Sequence, residues 1–300
     1  MRILSRTKSQ PLVCIFLILF LFLPNSVQAF IIFPVPLPAP SPPEIFGLKK
    51  KFEIRLAASQ VSYTNWAAGG ENSLSYSSFI NNGIIKNTKL YNMQIQGKFA
   101  FGQTKIGHEQ VRNSLDKIEI EASGTLKKQK FLNPFVSFQI LTQFTTGYDY
   151  SKSPPVAKSG FWDPAFLTQS MGSGVKFTDY LSTRMGLALK ETFTKLYPRY
   201  SDNPKTKNVV EHLRVEKGIN SQTNLKLQFN KNVNMVSKLQ LFYNMRRLKD
   251  VDWRFESQIN SKLARYFSVN FNLYLMYDRD ITTKTQIKQA LSMGFTYNFF

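Results

Sequence analysis

The chain has 300 residues, with 39 Lys+Arg against 19 Asp+Glu, a formal net charge of +20 and one cysteine. That cysteine is Cys14, so everything after it lacks disulfides, cysteine zinc sites and thiol nucleophiles. The positive excess suits anionic surfaces such as lipid phosphates, and an export signal at the N-terminus sets nucleic acid aside.

Residues 1–29 read as a secretory signal peptide. Arg2, Arg6 and Lys8 form a basic start, PLVCIFLILFLFL an apolar run, and Val27 and Ala29 a small-residue cleavage site after about Ala29. The run is too short for a membrane helix, which needs roughly 20 residues. Without these three basic residues the net charge is 36 − 19, or +17. Residues 30–51 read as a proline-rich linker. Six of the fourteen prolines fall in FIIFPVPLPAPSPPEIF, 30–46, which predicts an extended segment with neither strand nor helix.

From residue 52 to the end, strand-like segments follow one another, near 52–63, 71–82, 90–101, 117–127, 133–147, 164–178, 181–193, 208–217, 220–230, 233–246, 251–263, 267–277 and 286–299. Several alternate cleanly. Tyr91, Met93, Ile95, Phe99 and Phe101 oppose Asn92, Gln94, Gln96 and Lys98; Val251, Trp253, Phe255 and Ile259 oppose Asp252, Arg254, Glu256 and Gln258. Period two over ten or more residues is a strand with one apolar and one polar face. Soluble strands average about 5 to 6 residues, whereas tilted membrane strands need about 9 to 11. Rings near segment ends, such as Phe267 and Tyr277, suit interfacial girdles. The predicted fold is therefore all-β: a transmembrane, antiparallel, up-and-down barrel over 52–300 in the outer membrane. Thirteen segments must reduce to an even number, here about 12, with 14 as the alternative.

The closing LSMGFTYNFF puts Leu291, Met293, Phe295, Tyr297 and Phe299 in one row, with Phe300 one residue off register. This strand, ending Phe299 and Phe300, is the expected handle for the barrel-assembly machinery. Outer-membrane lipids, lipopolysaccharide included, are the other expected partners.

Chemistry is sparse. The two histidines, His108 in an expected turn and His212 on the 208–217 strand, have no serine at a motif spacing, so no nucleophilic triad is legible. Two isolated histidines make a poor metal site. No cofactor site and no enzyme are predicted. The polar rows carry alternating signs, as in Lys117, Glu119, Glu121 and Lys127. Facing a lumen, they form either a self-neutralising network or a charged constriction that selects solutes. Lys195, Arg199, Lys205, Lys207 and Arg214 make 195–217 basic, and Lys205, Lys207 and Arg214 are candidate contacts for anionic lipid. The connection GYDYSKSPPVAKSGFWDPAFL, 147–167, either folds over the pore or packs at the membrane interface.

The stretch SYTNWAAGGENSLSY, 62–76, breaks two alternating strands. Asn65, Trp66, Gly69, Gly70, Glu71 and Asn72 hold no acid–base pair, nucleophile or metal set. Two glycines supply turn conformations, asparagines bond turn backbone, and a Trp anchors at an interface. A turn after the first strand is the simple reading; a lumen-facing plug or binding site is the other.

SQVSYTNWAAGGENSLS (59–75), DKIEIEASGTL (116–126), FQILTQFTTGYDYSKS (138–153), FWDPAFL (161–167), KDVDWRFESQINSKLARYFSVNFNLYLMYDRD (249–280) and GFTYNFF resemble a family of Bacteroidetes-type outer-membrane proteins, domain of unknown function number 3078. The resemblance runs from about residue 52 to the C-terminus and implies an outer-membrane barrel, with no activity, cofactor or catalytic residue attached. The function expected is a channel or transporter for small or lipophilic solutes. The alternative is a non-conducting barrel that binds envelope partners or anionic lipids.

Overall fold

The computed structural model describes residues 15–19, 31–35, 46–62, 71–128, 132–203, 206, 208–246, 251–279 and 284–299. Asn65, Trp66, Gly69, Gly70, Lys205, Lys207 and Phe300 lie outside them, as does most of the expected signal peptide.

Twelve strands close into one antiparallel barrel. In chain order they are β3 (Gly47–Val61), β4 (Ser73–Asn87), β5 (Tyr91–Ile106), β6 (Arg112–Leu126), β7 (Asn133–Thr142), β10 (Ala165–Lys176), β11 (Leu181–Phe193), β12 (Leu213–Gln228), β13 (Val233–Asn244), β14 (Val251–Lys262), β15 (Phe267–Tyr277) and β16 (Gln286–Asn298). Sequence neighbours are ladder neighbours, β7 pairs with β10, and β16 returns to β3. Among the described residues, two small hairpins are not part of this ring: β1 (Ile15–Leu19) with β2 (Ile31–Val35), and β8 (Gly147–Asp149) with β9 (Val156–Ser159).

The thirteenth predicted segment disappears because 208–217 and 220–230 are one strand, β12. Gly218 and Asn220 read as a break in sequence. In the barrel Gly218 is a point of close approach, where a Cβ would collide with the Tyr243 carbonyl and the Phe242 ring. His212 falls just before β12 rather than on a strand. Two further expectations are corrected at the N-terminus. Residues 31–35 of the proline-rich segment pair antiparallel with 15–19, so that segment does contain a strand. Pro34 sits opposite Phe16 in this isolated two-stranded ladder, where the missing N–H can face away from the partner. The first barrel strand starts at Gly47, taking in 47–51 from the expected linker.

The alternation decides which face points where. Met93, Ile95, Met185, Leu187, Leu291, Met293 and Phe295 are exposed around the outer wall. The interleaved Glu119, Glu121, Gln222, Lys238 and Asn270 are buried in the interior. An apolar exterior around a polar interior is the inverse of a soluble sandwich and is stable only in lipid. The fold is that of an outer-membrane β-barrel.

One end of the barrel carries short turns at 88–90, 177–180, 229–232 and 263–266, together with both ends of the barrel chain. The other carries the long connections 62–72, 143–164 and 194–212. Bacterial barrels turn their short connections to the periplasm, which puts the long loops outside.

Candidate functional site

The interior is bridged from wall to wall at mid-depth. Lys117 on β6 places Nζ 2.6 Å from Glu119 and 2.9 Å from Glu256 on β14. In a ring of twelve, β6 and β14 are six strands apart in either direction, so this ion pair spans the lumen. Lys238 on β13 donates to Glu119 at 2.6 Å, and Gln240 on β13 donates to Gln139 on β7 at 3.0 Å. Arg184 on β11 reaches Glu121 at 2.6 Å and Gln222 at 2.8 Å. Lys98 stands 4.0 Å from Glu119, whose side chain is 2% exposed. Inward-facing charges in low dielectric must pair, since an unpaired one costs several kcal/mol. These pair beyond adjacent strands and tie opposite walls together.

A second cluster lies nearer the outer end. Lys190 on β11 contacts Asp252 at 3.0 Å, Asp278 at 3.2 Å and Glu216 at 3.9 Å. Glu216 also accepts from Asn244 at 2.8 Å and from Arg214 at 3.1 Å. Between the two clusters lies a cavity of about 170 Å³ lined by Gln139, Thr168, Lys190, Arg254, Tyr274 and Asp278. Arg254 buries its Nε without a hydrogen-bond partner.

The outer loops form a built rim. Asp116, at the outer part of β6, accepts from the Phe144 and Thr145 N–H groups at 2.6 and 2.8 Å and from the Thr145 hydroxyl at 2.5 Å. Within the 147–167 connection, Gly147–Asp149 and Val156–Ser159 pair as the β8–β9 hairpin, and Gln143 at its base donates to Ser159 Oγ at 2.8 Å. Asp163 is 5% exposed and accepts from the Leu196 N–H at 2.6 Å, which ties this loop to the 194–212 loop. Within the latter, Ser201 bonds Thr194 and the Glu211 carbonyl, and Glu211 accepts from Asn203 N–H and the Thr206 hydroxyl. Trp162 adopts a left-handed φ of 57°, uncommon for a bulky residue. Its ring lies 6.4 Å from that of Phe161 at a tilt of 47°, and both are exposed, as is Leu196, whose N–H bonds the neighbouring Asp163.

The expected site residues are distributed unevenly over this frame. Glu71 and Asn72, the described end of the 62–76 motif, sit at the outer rim. The Asn72 carbonyl accepts from Gly107 N–H at 2.7 Å, and Gly107 turns at φ 53° beside Glu71. That places them against the β5–β6 turn bearing His108. Arg214 lies on the inward row of β12 and donates to Glu216 at 3.1 Å. His108 and His212 are in different loops, both exposed. The residues that build the interior were visible as alternating signs on single strands. Their partners across the lumen were not, because no local spacing encodes which strands oppose each other.

The chain is similar in structure to the translocator domain of autotransporter NalP from Neisseria meningitidis, at 10% identity over 86% of this chain and 90% of that one, with a TM-score of 0.39. It is also similar to the COG4313 outer membrane channel from Pseudomonas putida F1, at 8% identity over 85% and 97% with a TM-score of 0.42. A third is the outer membrane channel DcaP of Acinetobacter baumannii, at 7% over 85% and 100% with a TM-score of 0.31. No curated protein matches the chain. Residues 58–148 match the family described as "Protein of unknown function (DUF3078)", the family that the sequence motifs resemble.

Proposed function

We propose that this outer-membrane barrel is sealed at mid-depth and binds anionic envelope molecules at its outer loop face, rather than conducting solutes. The observation that carries this reading is the Lys117–Glu256 pair at 2.9 Å between diametrically placed strands. The interlocked loops support it, since Lys195 and Arg199 lie in the same loop as exposed Leu196, and that loop is tied through Asp163 to the one carrying exposed Phe161 and Trp162. Cationic and apolar groups side by side match lipopolysaccharide, which offers phosphates and acyl chains together.

Reconstituted in planar bilayers, the protein is expected to give no steady conductance, and Lys117→Ala with Glu256→Ala to introduce one. Steady conductance by the unaltered protein refutes the sealed reading. Lipopolysaccharide binding is expected to fall on Lys205→Gln with Lys207→Gln; unchanged binding removes those lysines from the surface. A second reading, a gated channel for small solutes, is favoured by the cavity on the outer side of the charged layer. There the network acts as a constriction set by charged side chains, and solute uptake into liposomes by the unaltered protein decides for it. Handing the closing strand to the assembly machinery through Phe299 fits its place on the outward row, 5.1 Å from Phe52. Loss of insertion on removal of Phe299 and Phe300 tests it.

A further inference from the structure

The barrel wall closes unevenly. β3 pairs with β4 along its whole length, Gly47–Val61, and β16 pairs with β15 from Gln286 to Phe295. Between themselves, β16 and β3 are joined only along Gly294–Asn298 and Glu53–Ala57. Beyond that point, in the outer half of the wall, Ala58–Val61 and residues 290–293, which the same register would set opposite each other, have no ladder partner in each other. The split begins at Gly294, where the backbones approach so closely that a Cβ would strike the Leu56 carbonyl and Ala57.

Exposure follows the split. Ile287 to Leu291 are exposed on both faces of the strand, as are Ala58 to Val61. Elsewhere inward positions are mostly covered: Gln222 and Asn270, on fully paired strands, are buried. The Gln286 Nε2 and Ser292 Oγ are buried yet have no hydrogen-bond partner. In hydrocarbon, each unsatisfied backbone group costs several kcal/mol, so facing unpaired edges are stable only with something polar between them. The edges are also graded. Ile287, Leu291 and Met293 point outward at 58%, 74% and 53% exposure, while Gln286, Lys288, Ser292 and Ser59 alternate with them on the inward face.

We propose that this seam is a lateral port that admits an amphiphile from the outer leaflet, its polar head lying in the split against the unpaired backbone edges and its acyl chain remaining in the lipid belt. The apolar outer edge is continuous with the lipid belt, so acyl chains are the neighbours already present. The unsatisfied polar groups on the inner edge suit a head group and not a second acyl chain. The port lies outside the charged layer, so it operates whether or not the barrel conducts.

The test uses the chain in a Cys14→Ala background, reconstituted in vesicles containing phospholipid with a nitroxide on its head group. Single cysteines at Ser59, Thr168 and Leu167 carry a thiol-linked fluorophore. Thr168 points inward and Leu167 outward on the fully paired β10. Quenching at Ser59 is expected to approach that at Leu167 and to exceed that at Thr168 several-fold. Equal quenching at Ser59 and Thr168 overturns the port, whether the seam has zipped or a polypeptide strand fills it. A second variant, Ser59→Cys with Ser292→Cys, reads closure directly. Continuing the observed register sets these two residues opposite each other, with Cβ atoms about 4.5–5.5 Å apart in a closed ladder. Quantitative disulfide formation on adding copper phenanthroline, which passes the two thiol electrons to dissolved oxygen, likewise overturns the proposal; a pair that stays free under that treatment supports it.

Discussion

Replacing Glu119 by Gln isolates the energetic role of the charged layer. The side chain keeps its shape and loses its charge, while two lysines lie at 2.6 Å and a third at 4.0 Å. Removing one partner of a buried ion pair costs roughly 3–5 kcal/mol, because the other charge is left uncompensated. Here both close lysines retain a second carboxylate. Lys117 keeps Glu256 at 2.9 Å, and Lys238 keeps Glu121 at 3.9 Å. Lys117 is also 24% exposed within the lumen, so water shares its solvation. The loss should fall at the low end, about 3 kcal/mol, a change of roughly a hundredfold in the unfolding equilibrium. Urea unfolding in a fixed lipid, with folded and unfolded fractions resolved by heat-modifiable gel migration, measures it. A change below about 0.5 kcal/mol, the level typical of surface pairs, would show that the lumen is hydrated and the layer does not seal it.

Three further predictions concern the wall and the rim. Gly218→Ala should destabilise the barrel by about 1–3 kcal/mol through overpacking against Tyr243 and Phe242; an unaffected urea midpoint would contradict the close approach. Asp163→Ala removes the acceptor for Leu196 N–H, so the 194–212 loop should become sensitive to trypsin while barrel migration on gels stays unchanged; equal protection in both proteins refutes the tie. Asp149 lies on the outer hairpin, where the Lys158 ammonium at 2.5 Å and the Ser151 groups hold its carboxyl well below the usual range. A depressed folded pKa means that the contribution is present above the unfolded value of about 3.9 and is lost as pH falls through the folded one. Hairpin protection in hydrogen exchange should therefore hold from pH 8 to pH 5, and loosening by pH 5 would count against the pair.

Much of the architecture was legible because membrane strands obey a local rule. Lipid outside and polar groups inside impose period two over long segments, so the rows of β5, β11, β14 and β15 could be read directly. Where the rule is overridden, reading failed. Gly218 looks like a terminator in one dimension and is a packing contact in three. Proline runs suggest extended coil, although the 31–35 ladder tolerates Pro34. The rim is half visible in sequence: Asp116 and Asp163 stand in DKIEIEASGTL and FWDPAFL, but nothing local says that a carboxylate will cap a loop some thirty residues away.

Taken by itself, the amino-acid order determined the class of solvent on each face of each strand, the approximate number of strands and the compartment they require. Those follow from side-chain polarity at alternating positions, a property of neighbouring residues. Tertiary structure alone decided that Lys117 meets Glu256 across the full width of the lumen and that β16 parts from β3 above Gly294. Both depend on ring closure, strand stagger and which walls face each other. These are set by all twelve strands together, and no single segment encodes them.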